Sequence, residues 1–469
     1  MTGIETAITY AEHLITDLKK QIGEEASGRD IIIPTRQELE AAAQKFILDP
    51  HQTAWFKSGL HELTVSKTQI FPHDLTSVAN GVLLALQACQ PMALLPKNGI
   101  SLLGERARLM GLKARTNISA NGSCYLFAAK DGEFALSLAR HEDFELLPAL
   151  TFGAFADDIT DDEIDAQTIS KLANIFKNIA LDEIMKQGID CGLPIARLKS
   201  HEHVKKNWCS LQHTPPDHTR VTPQQPPLVL DFSSLWAGPL ASSLLAKLGA
   251  RVIKIESRHR PDGARQGHKE FYDLLNSCKQ SLAIDFTDKE DMRLLTNLIG
   301  QADIIIEASR PRALKQLGID ADKILSHQPN KTWLSLTAYG RHDAQALRVG
   351  FGDDIGIEGG LAYAMQHHTQ SSSFVGDALP DPLTGLHAAL AAYVVFQNGG
   401  GLIDMPMVGV MSHALSYAIK HQKNNFGAAY ISKKPSPPYP LRPLTHPAAA
   451  LDADRKKITA EFKGKTHAH

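Results

Sequence analysis

Cysteine is sparse. The 469 residues hold five cysteines (Cys89, Cys124, Cys191, Cys209 and Cys278), an odd count with no C-x-x-C pair. That excludes a disulfide framework and fits reduced thiols in a cytoplasm-like compartment. No apolar run is long enough to span a bilayer. The opening MTGIETAITYAEH lacks the basic flank and apolar core of a signal peptide. A cytoplasmic protein that neither crosses nor binds a membrane is expected. Neither sign of charge dominates: 49 Lys and Arg face 51 Asp and Glu, for a formal net charge of −2. Whole-molecule attraction to nucleic acid or an anionic lipid surface is therefore not expected.

With 43% hydrophobic and 21% charged residues the composition is that of an ordinary globular protein, and the length calls for two domains. The most informative stretch is LVLDFSSLWAGPLASSLLAKLGARVIKIE, Leu228 to Glu256. Leu228–Leu230 and Val252–Ile255 read as buried strands. Gly238-Pro239 opens a helix between them, where a missing N–H costs nothing. Leu240, Leu244, Leu245 and Leu248 form its apolar stripe, and Gly249 stands where a left-handed cap ends it. A crossover of this length joins parallel strands. The rhythm repeats with strands at Ser281–Phe286, Asp303–Glu307, Trp333–Thr337 and Leu402–Met405. Helices are expected from Thr287-x-x-Glu290 to Ile299, at Pro311–Leu317 and at Leu383–Gln397. Such alternation predicts an α/β fold with a doubly wound parallel sheet.

The first 200 residues read differently. Ile4, Ile8, Leu14, Leu18 and Ile22 mark one helical face, a second helix follows Pro34, and Leu75–Leu95 is another apolar helix. Leu102-Leu103-Gly104-Glu105-Arg106 comes after it. Cys124–Ala128 and Phe134–Leu138 around Lys130-Asp131-Gly132 make a β-hairpin, and Thr160-x-x-Glu163 is a capping box. Together these predict a helical and small α+β domain over 1–200. The Pro-rich, polar stretch 201–227 reads as a linker, the sheet domain covers 228–425, and a Pro/Ala-rich tail fills 426–469. His201 and His203 alternate like metal ligands but have no partner cluster nearby, and no metal site is expected.

A nicotinamide site is the first chemistry to test, and the turn SSLWAGPLAS holds one glycine where the dinucleotide fingerprint needs three. Gly464-Lys465-Thr466 matches half a phosphate-binding loop with no strand before it, and carries no weight. Two features do. Arg258, Arg260 and Arg265, with Lys279 and Arg310, follow the strand ends where ligands of such sheets bind and could grip phosphates; singly they also read as ordinary surface charges. In FVGDALPDPLTGLHAAL, Asp381 stands between two prolines as the expected N-cap, with Pro382 at the first helical position. A carboxylate there is favoured in its ionised form. It is a candidate nucleophile towards an activated acyl group, and taken alone it is also a plain structural cap.

The order of these motifs resembles the family III CoA-transferases, of the carnitine/bile-acid and formyl-CoA type. The landmarks are VLDFSSLWAGPLASSLLAKLGARVIKIE, LLNSCKQSLAIDF, ADIIIEASRPRALKQLGI, SLTAYGR and DPLTG, over Leu228 to Met405. The resemblance implies a Rossmann-like sheet domain and transfer of coenzyme A between carboxylic acids, with CoA as substrate and no tightly bound cofactor. It makes Asp381, in D-x-x-T-G, the nucleophile, rather than Asp377. It places Ser234, Leu235, Trp236, Gly238, Pro239, Arg258, Asn276, Lys279 and Arg310 around CoA. An acyl-CoA donor, a carboxylate acceptor and a homodimer are implied as partners. NGSCYLFAAKDGEFALSLARHEDF resembles the family's small domain, which here precedes the sheet domain, so the domain order reads as permuted. Trp236 stands two positions before Gly238, where a small residue or glutamine is usual. The racemase branch of the superfamily has G-H-D where this chain has Gly352-Asp353-Asp354; the missing imidazole argues against proton exchange, with Asp353 as an unusual base in its stead. The alternatives are such a racemase or isomerase and a non-catalytic acyl-CoA-binding homologue.

Overall fold

The computed structural model describes residues 3–23, 31–64, 71, 73–156, 164–212, 226–342, 344–421 and 437–462. The capping box expected at Thr160 and the Gly464-Lys465-Thr466 match lie outside them.

The chain opens with helices α1 (Gly3–Ile22), α2 (Leu75–Cys89) and α3 (Gly99–Met110). A hairpin of β1 (Cys124–Ala129) and β2 (Gly132–Ser137) follows, joined by β3 (Ile195–Arg197) into a three-stranded antiparallel sheet. The hairpin register pairs Ala129 with Gly132 across the Lys130-Asp131 turn, as the Asp-Gly signal predicts. Then come β4 (Ser210–Gln212), β5 (Leu228–Asp231), α4 (Ala237–Lys247), β6 (Arg251–Ser257), α5 (Lys269–Asn276), β7 (Gln280–Ile284), α6 (Lys289–Gln301), β8 (Ile304–Glu307) and β9 (Thr332–Thr337). The last part holds α7 (Gly352–Glu358), α8 (Pro380–Gln397), β10 (Gly401–Pro406), α9 (Met407–His421) and α10 (Arg455–Phe462).

The large sheet has seven strands in the order β4-β10-β9-β8-β5-β6-β7, parallel except for β4. Both faces are covered, and the strands show it residue by residue. Val229, Ile304, Ile306 and Ile403 join one apolar cluster with α4, α8 and α9. Their chain neighbours Leu230, Ile305 and Leu402 join another with α6 and α10. Alternating side chains are thus buried on opposite faces, which is why these strands read as continuous apolar runs. Helix α8 is buried on every side between α4, α2 and α9, and its sequence is accordingly apolar all round.

Three expected boundaries move. The α1–α3 helices do not share a core with the small sheet: Tyr10, Leu14, Val82 and Leu103 belong to the cluster around α4 and α8. The small sheet keeps its own core, with Phe127, Phe134 and Phe176 at its centre. The expected 1–200 unit therefore divides, its helical part completing one face of the large sheet. The expected 201–227 linker is structured at its start. Trp208 and Cys209 are buried, and β4 pairs antiparallel with β10. The expected C-terminal tail is a strap over 437–462 that closes the β7 edge. The β7 amides of Ser281 and Ala283 donate to Asp454 and Asp452, both at 2.9 Å, and α10 packs on β7 and α6. A bare edge strand invites pairing with another chain, and this one is covered. Among the described residues, no helix is long and apolar enough to cross a membrane.

Candidate active site

Asp381 lies where three parts of the chain meet. It is the second residue of α8, whose N-cap is Leu379, so it is not the expected N-cap and Pro382 is not the first helical residue. The helix starts two residues earlier, with the Asp381 N–H donating to the Ala378 carbonyl at 2.9 Å. Its carboxylate takes its backbone hydrogen bond from the Ala237 N–H at the start of α4. Gly385 allows this approach: a Cβ there would come within 2.7 Å of the Ala237 carbonyl oxygen. This gives the glycine of D-x-x-T-G a structural reason. From Pro380 to Phe396, Asp381 is the residue that is not buried.

Two more carboxylates stand beside it. Asp353, in the first turn of α7, accepts from the Ala378 N–H at 3.0 Å and from Asn121 Nδ2 at 2.6 Å. Asp377 accepts from Arg106 Nε at 2.7 Å and pairs with the same guanidinium through a second nitrogen. Arg106 comes from α3 and also lies over the Trp236 ring, 4.6 Å from its centroid. Asn121 comes from the turn before β1, so the helical region and the small sheet each supply one side chain.

The expectation of a carboxylate held ionised is overturned. Burial pushes the Asp381 pKa up to about 7; Arg106 opposes that, Asp353 and Asp377 add to it, and the Ala237 N–H pulls back. Burial and the Asp377 charge likewise raise Asp353. Its neighbour Asp354, also raised to about 7 by burial, accepts from Ser137 Oγ of β2 at 2.8 Å and ties α7 to the small sheet.

β5, β6 and β8 are parallel neighbours, so their carboxyl ends share one edge. The loop after β5 presents exposed Ser234 and Leu235 there, and Leu235 holds a left-handed φ of 69°. That loop is fixed from below. Lys254 donates to the Ser233 carbonyl at 2.8 Å, and the Leu235 N–H donates to Asp262 Oδ1 at 3.1 Å. Trp236 is buried, edge-on to Phe271 at 5.1 Å. Gly238 and Pro239 are buried in the first turn of α4. Arg258, Arg260 and Arg310 are exposed on the same edge, with Arg258 loosely held at 3.6 Å from both Asp291 and Asp452.

Lys279, Asn276 and Arg265 are not presented to this edge. The buried Lys279 ammonium donates to Asp231 Oδ2, the Pro239 carbonyl and Asn276 Oδ1, each at 2.9 Å. All three of its protons are used under the α4 start, leaving none for a phosphate. Arg265 pairs with buried Glu256. His201 and His203 form a short turn after β3. Among the described residues, no group of three His, Cys, Asp or Glu side chains could hold a metal.

The fold and centre define a class: α/β proteins with a buried carboxylate group beside the carboxyl edge of a parallel sheet. Residues 227–439 match the family described as CoA-transferase family III. The chain is 28% identical to a probable fatty acyl-CoA transferase of Mycobacterium tuberculosis, over 45% of this chain and 56% of that protein. It is 27% identical to the human succinyl-CoA:glutarate CoA-transferase, over 47% of this chain and 54% of that one. Against a formyl-CoA:oxalate CoA-transferase of Rhodopseudomonas palustris the identity is 28%, over 34% and 40%. A crystal structure of an M. tuberculosis protein, 29% identical, aligns with a TM-score of 0.39 over 44% of this chain and 59% of that one. The chain thus spans about half the length of the relatives it matches.

Proposed function

We propose that this protein transfers coenzyme A between carboxylic acids through covalent intermediates on Asp381. The observation that carries the reading is the Asp381 carboxyl, set beside Asp353, Asp377 and Arg106 on the partly exposed residue of an otherwise buried helix and raised to about 7. Half-ionised near neutral pH, it combines availability with basicity. It attacks the donor thioester, forming an acyl-aspartyl anhydride and releasing CoA thiolate. The thiolate attacks the aspartyl carbonyl, giving aspartyl-CoA and the first free acid. The acceptor carboxylate attacks aspartyl-CoA, forming a new anhydride and CoA thiolate. Attack of the thiolate on the new acyl carbonyl yields the product thioester and restores the Asp381 carboxylate. Each step exchanges one acyl bond for another, so no ATP is needed.

On this reading Ser234, Leu235, Trp236, Gly238 and Pro239 border the thioester, and Arg258 and Arg310 meet the CoA phosphates. Lys279 and Asn276 hold the loop scaffold. The permuted domain order, a homodimer and a cytoplasmic location belong to the same proposal. The test is incubation with acyl-CoA donors followed by hydroxylamine. Mass spectrometry is expected to find the hydroxamate on Asp381, with none in Asp381→Asn; labelling elsewhere, or transfer by that variant, defeats the reading. A second reading, proton exchange at an α-carbon, is favoured by the adjacent raised carboxyl of Asp353. Solvent deuterium entering the acyl group without CoA exchange would select it.

A further inference from the structure

A cleft of about 410 Å³ opens one to three turns down α4 from the carboxylate centre. Ser243 and Lys247 of α4, Leu274 at the end of α5, Cys278, the loop before α3 and the strap from Tyr439 to His446 line it. Its size is that of a small-molecule site. Ile47, Leu94, Leu95 and Leu441 make the walls largely apolar, and Leu94 at the rim is 84% exposed. The ionisable groups of the lining are one-sided. Lys97, Lys247, Arg442 and His446 are basic, and no carboxylate lines the cleft among the described residues. Glu105 answers the Arg442 charge through a paired hydrogen bond. Lys97 and Lys247 are exposed and make no ion pair among the described residues.

Apolar walls that bury a chain, with two unanswered ammonium groups at the rim, complement an amphiphile with an anionic head. We infer that this cleft binds a single-chain aliphatic carboxylate, away from the reacting carboxylates. The inference does not rest on the transfer reading, and Asp381→Asn is expected to bind the same ligand unchanged.

Cys278 supplies the readout. It is the exposed thiol among the five, with its Sγ 3.8 Å from Ser243 Oγ at the cleft wall. The full chain is alkylated with N-ethylmaleimide, with and without decanoate, and the Cys278 peptide is followed by mass spectrometry. Saturating decanoate is expected to slow alkylation about tenfold or more, and decanol much less. The Lys97→Glu/Lys247→Glu double variant is expected to lose that difference. Leu274→Trp, which fills the cleft, is expected to abolish the heat of decanoate binding in calorimetry while the protein stays folded. Unchanged Cys278 reactivity together with no heat of binding would overturn the inference. Equal protection by decanol, or full protection of the charge-reversed variant, would overturn the anionic head.

Discussion

Gly352→Ala tests the geometry of the carboxylate centre most directly. Gly352 is the first residue of α7, and a Cβ built there lies 2.1 Å from Asp381 Oδ2, 2.6 Å from Ala378 Cβ and 2.8 Å from the Ala378 carbonyl oxygen. Relaxed heavy-atom contacts sit at roughly 3.5 Å, so the carboxylate must retreat by about 1 Å or more. A displacement of that size is worth about 10²-fold in a positioned reaction. Overpacking of this kind costs about 1–3 kcal/mol, a loss most folded proteins survive. The expected result is a folded variant that transfers CoA about a hundredfold more slowly, measured by mass spectrometry of product thioester. Gly356→Ala, one turn along α7, is the control, since the nearest atom to its Cβ is 3.3 Å away. Normal transfer by Gly352→Ala, or an equal loss in Gly356→Ala, would refute the argument.

Three further outcomes follow from the charges. Asp381 holds its proton up to about 7, well above the ordinary aspartate value of 3.8. The folded state therefore binds this proton more tightly than the unfolded chain, and stability falls as pH rises from about 4 to about 7. Asp381→Asn is expected to flatten part of that fall in pH-dependent melting curves and to be the more stable protein at pH 8. The gain is bounded at about 4 kcal/mol and smaller because Asp381 as a residue is partly exposed. Lys279→Met is expected to lose about 3–5 kcal/mol in urea unfolding, because it removes the ammonium paired with the buried Asp231 charge and leaves that carboxylate to the Ser233 and Ser242 donors. Burial lowers His387 to about 4 and His413 to about 3, beside α1. Their contribution is complete above about 6.5 and is lost as pH falls towards 4. Melting temperatures are expected to drop over that window, less steeply in His387→Gln.

The parallel sheet was legible because its strands are apolar on both faces and its crossovers carry a 3.6 period. Strand β4 was not, since its three residues follow a polar stretch and pair only at an edge. The D-x-x-T-G segment pointed to Asp381, but the upward shift of its carboxyl was not legible. Asp353 and Asp377 reach it through folding, and the sequence alone read its position as an N-cap that stabilises negative charge. Lys279 read as a surface cation because nothing local marks it as buried; its partner Asp231 stands 48 residues away. Arg106 and Asn121 were missed for the same reason, Arg106 lying 271 residues before Asp377. A signal for Arg106 existed in Leu102-Leu103-Gly104-Glu105-Arg106. Two charges set among buried apolar helix positions call for distant partners.

Arg106 and Asn121 give the acidic centre an unusual dependence on distant parts of the chain. Each is lent by a unit with its own attachments, and both temper the repulsion among neighbouring carboxyls. If a mutation removes the Arg106 charge while α3 stays packed, the proton affinity of Asp381 should climb. The titration of one side chain would then report whether the helical region still lends its guanidinium to the centre.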